Sequence, residues 1–188
     1  MAAYLLLLFA VLTRVIPHAG WLNFTAVGGA LLYFGARRPW REMLAPLAVL
    51  AGTDIYLTLF SYHYAFHWTA YIPTWTWYLA AIVLGRILLQ SRTSWLRVGS
   101  AVLLGPTAFF LMSNFAVWMV SAHSPALPGD MYSNSLGGLA TCFAAGLPFY
   151  RNDLVSTTIV AGLAFGVPVL LRRLQQHRTT AAVGTASR

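Results

Sequence analysis

The sequence contains no lysine, only four acidic residues and a single cysteine. Each shortage excludes something. Charged residues make up 9% of the chain, against about 25% in an ordinary soluble domain, too few to cover a soluble globular surface. The lone Cys142 allows neither an internal disulfide nor a Cys-based zinc cluster. A hydrophobic content of 59% excludes a disordered or collagen-like chain. What is left is an integral membrane protein. At about 20 residues per span plus short loops, 188 residues hold six or at most seven helices. That is one polytopic domain, residues 1–178, followed by a small polar tail, 179–188, read as disordered and cytoplasmic.

What the chain does have is arginine. The basic residues number 12, all Arg, and give a net charge of +8. In a soluble protein this would suggest nucleic acid; here it records topology, because basic residues gather in cytoplasmic loops, and no nucleic-acid partner is expected. Apolar segments run over 2–16, 22–36, 42–61, 72–90, 98–121, 133–149 and 153–171. The start has no basic residue ahead of its apolar run, and Arg14 lies behind it, so it reads as a first membrane helix and not as a cleaved signal peptide. The linkers holding Arg37, Arg38 and Arg41, and Arg92 and Arg97, are basic; those at 62–71 and 122–132 have no Arg. Seven spans would put Arg172, Arg173 and Arg178 outside, and six put them inside. The segment expected not to cross is 133–149, which contains Gly137, Gly138 and Gly146 and ends at Pro148. It is read as a short external re-entrant helix, with its backbone covered by protein or water; the short first helix is the other candidate. The expected fold is an all-α bundle of six transmembrane helices with both termini cytoplasmic.

Two stretches carry a resemblance. One is Ile16-Pro17-His18-Ala19-Gly20-Trp21-Leu22-Asn23-Phe24-Thr25, followed by Gly28-Gly29 and Phe34-Gly35; the other is Leu147-Pro148-Phe149-Tyr150-Arg151-Asn152-Asp153-Leu154. Both resemble S components, the substrate-binding membrane subunits of energy-coupling-factor vitamin transporters. The whole chain, including Ser113-Asn114-Phe115-Ala116-Val117-Trp118, is more similar still to a bacterial membrane-protein family of unknown function. The resemblance implies a six-helix bundle in the bacterial inner membrane and a cavity near the external face. It also implies a small vitamin-like or heterocyclic substrate and an energy-coupling module as partner. The chain departs from the S-component motif at Asn152, where a Gly stands, and at Val155-Ser156, where a Lys follows. Its first helix also lacks an Ala-x-x-x-Ala docking patch, since Ala3 and Ala10 stand seven apart.

Asp54 lies inside an apolar segment, where an acid costs about 3 kcal/mol to insert. It reads as a substrate or proton site, or as a structural partner for a hydroxyl, an amide or an Arg. Twelve residues into its span, it lies about 18 Å along the helix, beyond the midplane. Asn114 and Trp118 are four apart on one helix face, able to hydrogen-bond and stack a flat ring or to join two helices. Arg151 and Asp153 could bind a carboxylate or pair with each other, and Asp153 could cap a helix start. The candidate substrate-binding set is therefore Asn23, Asp54, Asn114, Trp118, Arg151 and Asp153.

His63 and His67 stand at i, i+4, the spacing of two imidazoles on one metal, and with His18 and His123 they fall on the external side. Interfacial histidines explain them equally well. Tyr62, Tyr64, Trp68, Tyr71, Trp75, Trp77 and Tyr78 form an aromatic belt, a minority of whose rings could line a cavity. Gly162 and Gly166 form a GxxxG face for a close helix contact or a partner. No catalytic constellation, phosphate loop or cofactor motif stands out, and no enzyme activity is expected. Competing readings are a structural subunit of a membrane complex, a metal-binding membrane protein, and an enzyme using Asp54 with an external His.

Overall fold

The computed structural model describes residues 1–16, 23–123 and 131–186. Among them are six α-helices and no strand: α1 (Ala2–Val15), α2 (Val27–Arg37), α3 (Leu44–Tyr56), α4 (Ile72–Leu89), α5 (Trp95–His123) and α6 (Leu136–Ala186). A 3-10 turn, Trp40–Glu42, leads into α3, and a π turn, Leu57–Ser61, continues it; a second 3-10 turn, Trp68–Tyr71, leads into α4. α4 carries a proline in its first turn, where the missing N–H would be unpaired anyway.

Four of these helical stretches are long and apolar enough to cross a membrane: Trp40–Ser61, Trp68–Leu89, Trp95–Ser121 and Leu136–Arg172. Six spans are not supported. α1 has 14 residues and α2 has 11, about 21 and 16 Å at 1.5 Å per residue, and neither alone matches a hydrocarbon core about 30 Å thick. The two run as a hairpin. The Tyr4 hydroxyl of α1 bonds to Glu42, and the Arg38 guanidinium sits 5.1 Å over the Tyr4 ring. At its other end Arg14 reaches Asp54, and Thr13 Oγ1 accepts from Ala26 N at 3.0 Å. α1 thus climbs from the arginine-rich end to the level of Asp54, and α2 returns to Arg37.

The segment 133–149 is corrected as well. It is not a separate re-entrant helix: its helical part opens α6, which continues through Pro148 and Pro168. The proline was read as a break, yet helices packed in a bundle re-satisfy the carbonyl that a proline frees; α5 likewise holds Pro106. The side chains of the tail 179–188 lie outside the described residues.

α2 occupies the centre, with every residue but Tyr33 and Arg37 buried, the mark of a helix apolar all round. It packs on α1, α4 and α6. Contact with α4 is backbone to backbone: a Cβ on Gly35 would stand 1.9 Å from Ile82 O, and one on Gly85 would stand 2.2 Å from Leu32 O. Against α6, a Cβ on Gly29 would meet Val160 at 2.6 Å and Ala161 N at 2.9 Å. By contrast Gly162 has nothing within 4 Å and Gly166 meets only the rim of Trp95 at 3.6 Å, so the GxxxG face makes no close helix contact within the described chain. Arginines gather at one end: Arg37 bonds Thr93 Oγ1 (3.2 Å), Arg86 bonds Arg38 O (3.3 Å) and Arg97 bonds Leu88 O (3.2 Å).

Candidate functional site

Asp54 stands near the end of α3, just before the π turn, and its side chain is 2% exposed. Its carboxylate collects three donors. Arg14 Nη2 and the Tyr78 hydroxyl, the latter at 3.4 Å, donate to Oδ1; Trp75 Nε1 donates to Oδ2 at 3.0 Å. Thr58 Oγ1 donates to the Asp54 carbonyl at 2.7 Å and is itself hydrogen-bonded to the Tyr71 hydroxyl. Tyr71, Trp75 and Tyr78 share a face by their spacing, so part of the expected aromatic belt turns inward. Of the roles open to Asp54 from sequence, its geometry displays partnership with an arginine and with a hydroxyl. An ionised pair sharing aromatic donors is a far cheaper occupant of a membrane interior than a lone carboxylate.

Beside this pair lies a cavity of about 210 Å³. Arg14, Asn23, Thr25 and Val27 bring the end of α1 and the start of α2 to it; Tyr71, Thr74, Trp77 and Tyr78 supply the α4 side. Phe109 of α5 closes it, its ring 4.6 Å from that of Trp77, and Asp54 and Asp153 complete the wall. Asp153 is 5% exposed. Its Oδ1 accepts from Thr157 Oγ1 at 3.3 Å, while Oδ2 has no partner among the described residues, and neither has Nη1 of Arg14. Buried polar atoms are nearly always paired; these two are exceptions, and both atoms are closed off from solvent although their residues line the cavity.

Three of the six expected site residues line this cavity: Asn23, Asp54 and Asp153. Asn23 does so with φ 58, a left-handed conformation that Asn tolerates better than most residues. The other three are elsewhere. Asn114 donates to its own helix at Phe110 O (2.8 Å) and lies against Gly146 of α6, a helix-joining position. Trp118 donates to Ser133 O at 3.1 Å, tying α5 to the approach of α6. Arg151 is exposed on an outer groove with Leu147, Pro148 and Leu154, unpaired with Asp153. Asp153 caps no helix start, because α6 begins at Leu136. His63 and His67 are exposed. His18 and the side chain of His123 lie outside the described residues, among which no three His, Cys, Asp or Glu side chains group to hold a metal ion.

Arg14, Thr25, Val27, Thr74 and Phe109 were missed as site residues, whereas Tyr71, Trp77 and Tyr78 come from the aromatic set of which a minority was expected to line a cavity. A signal existed for Arg14, a cation thirteen residues into an apolar helix and therefore an intramembrane charge in search of a partner. None existed for Phe109, one apolar residue among many.

A model of a family of unknown function, DUF6580, matches residues 1–181. No curated protein and no solved structure matches the chain, and nothing in these comparisons links it to S components. The chain belongs to the DUF6580 family.

Proposed function

We propose that this DUF6580 protein is a multi-pass protein of the bacterial inner membrane that binds one small molecule in the cavity beside Asp54 and takes it up, in the manner of an S component. One observation carries the reading: ionisable groups from three separate elements, Arg14, Asp54 and Asp153, converge on one cavity. Intramembrane ionisable residues are costly, and they mark substrate or ion pathways by default. The cavity favours uptake from the arginine-poor side. Asp54 is about 10 Å below the end of its span at Ser61, and Tyr71 to Tyr78 occupy the first turns of α4. The arginine-rich end would then be cytoplasmic, with both termini on that side. At about 210 Å³ the cavity is below the usual range of about 300 to 1,000 Å³ for ligand pockets and above the roughly 150 Å³ that holds a benzene. The ligand is therefore single-ring or smaller, such as a heterocycle, and Asn23 and Asp153 contact it while Asp54 fixes Arg14. Asn114, Trp118 and Arg151 have no part in this site.

Native mass spectrometry of gently purified protein tests the reading. A co-purifying organic molecule of about ten non-hydrogen atoms is expected on the wild type and on Arg151→Gln, and is expected to be absent from Asp153→Asn. Protein carrying only lipid, or a molecule retained equally by Asp153→Asn, would overturn it.

A further inference from the structure

At the arginine-rich end a second cavity, of about 190 Å³, opens between the start of α5 and the part of α6 that faces it. Buried Val98 and Phe165 form its floor, Trp95 and Val169 flank it, and Thr93 and Ser94 add hydroxyls at the exposed edge. Trp95 opens one apolar span, and Val169 stands three residues before the end of another at Arg172. The cavity therefore lies where hydrocarbon gives way to headgroups, the level that tryptophan and arginine favour. Arg37 closes one side. Its guanidinium bonds Thr93 Oγ1 at 3.2 Å and lies 5.5 Å over the Phe165 ring and 5.9 Å over the Tyr33 ring, so two residues of the cavity wall hold a cation at its edge. Arg172 is exposed seven residues after Phe165, on the same helix face, and Arg92 and Arg97 bracket Thr93 and Ser94. Among the described residues none of these four arginines forms an ion pair, and Glu42 at this end is taken by Arg38 and Tyr4. Ser94 Oγ accepts from Arg97 N at 3.4 Å, which leaves its own proton to donate.

We propose that this cavity binds an anionic phospholipid, its phosphate held by Arg37 and the Ser94 hydroxyl and the upper part of one acyl chain lying on Val98, Phe165 and Val169. Guanidinium groups grip phosphate through paired, charge-assisted N–H bonds, and basic pockets between membrane helices take acidic headgroups. The uncompensated arginines favour an anionic lipid over a zwitterionic one, whose headgroup cation would meet them. The apolar floor at a membrane boundary favours a lipid over free phosphate or a nucleotide, either of which would leave Val98, Phe165 and Val169 uncovered. This site is independent of the cavity beside Asp54 and of uptake.

Titrating the detergent-purified protein with phosphatidylglycerol or phosphatidylcholine of identical acyl chains, and reading the first bound lipid by native mass spectrometry, tests it. Wild-type protein is expected to bind phosphatidylglycerol at least about tenfold more tightly than phosphatidylcholine. Arg37→Gln is expected to lose about tenfold for phosphatidylglycerol and little for phosphatidylcholine. Val169→Trp, which fills the cavity and leaves every charge in place, is expected to weaken both. Arg151→Gln, on the outer groove, is expected to bind like wild type. Should Arg37→Gln fail to fold, Val169→Trp and the wild-type ranking decide. Equal affinity for the two lipids, or unchanged phosphatidylglycerol binding in Val169→Trp, overturns the proposal. So does a loss in Arg151→Gln as large as in Arg37→Gln, which would mark a general attraction between arginine and acidic lipid. Displacement of the lipid by inorganic phosphate alone would overturn it too, as the mark of a free-anion site.

Discussion

Removing either partner of the Arg14–Asp54 pair leaves the other charge buried without compensation, which typically costs about 3 to 5 kcal/mol. Arg14→Gln and Asp54→Asn are each expected to destabilise the folded protein by about 3 kcal/mol. The double variant should fall short of the sum by about 1 to 3 kcal/mol, as for residues in direct contact. Reversible unfolding of the four proteins in mixed micelles measures this, and simple additivity would show that the two side chains do not interact. Arg151→Gln, exposed on the outer groove, should change stability by less than about 0.5 kcal/mol. At this scale the sequence was legible where cost alone identifies a residue. Asp54 inside an apolar run announces itself, whereas its partner stands 40 positions away, and nothing local connects them. Asp153 was singled out together with Arg151, from which the structure separates it, and its alternative reading as a helix cap fails because α6 begins at Leu136. Its orphaned oxygen is a property of three-dimensional packing and has no signature in the chain.

Between elements, the decisive contacts are glycines that let backbones touch. Gly35 and Gly85 answer each other across α2 and α4, where a methyl group on either would be driven into the partner's carbonyl. Overpacking of this kind costs about 1 to 3 kcal/mol, more than the roughly 1 kcal/mol that alanine gains over glycine in a helix. Gly35→Ala and Gly85→Ala are therefore expected to lower the thermal midpoint in detergent. Gly162→Ala, with nothing within 4 Å, should leave it unchanged or raise it slightly; a loss of stability in Gly162→Ala comparable with Gly85→Ala would overturn this packing. The GxxxG spacing at 162–166 drew attention because a repeat within one helix is visible in sequence. The pairing of Gly35 with Ile82 and of Gly85 with Leu32 joins positions about 50 residues apart and is set by how α2 lies in the bundle. The aromatic run of α4 shows the same mixture: its density was legible, but the inward turn of Trp75 and Tyr78 follows from where Asp54 sits.

For the whole molecule, charge parity carried more information than hydropathy. Counting each apolar segment as a crossing forced one to be discarded. The choice fell on 133–149, although the short first helix was the better candidate and α2 is shorter still. With the four long helices crossing and α1–α2 a hairpin from the arginine-rich end, Arg37, Arg38 and Arg41, then Arg92 and Arg97, then Arg172 all fall on one side, as basic residues in short loops prefer. Cysteine accessibility in intact cells tests this arrangement. Cys142→Ser provides the background, since Cys142 is buried and its thiol merely donates to Asn114 O at 3.3 Å, a bond that serine can keep. In that background His63→Cys, on the arginine-free connection between α3 and α4, should react fully with a membrane-impermeant maleimide. Ser91→Cys, between α4 and α5, should react only after the cells are opened. Labelling of both in intact cells, or of Ser91→Cys alone, would break the orientation. It would also place the cavity at the wrong end of the bundle for uptake, because Asp54 lies nearer to His63 than to Ser91 along the spans that carry them.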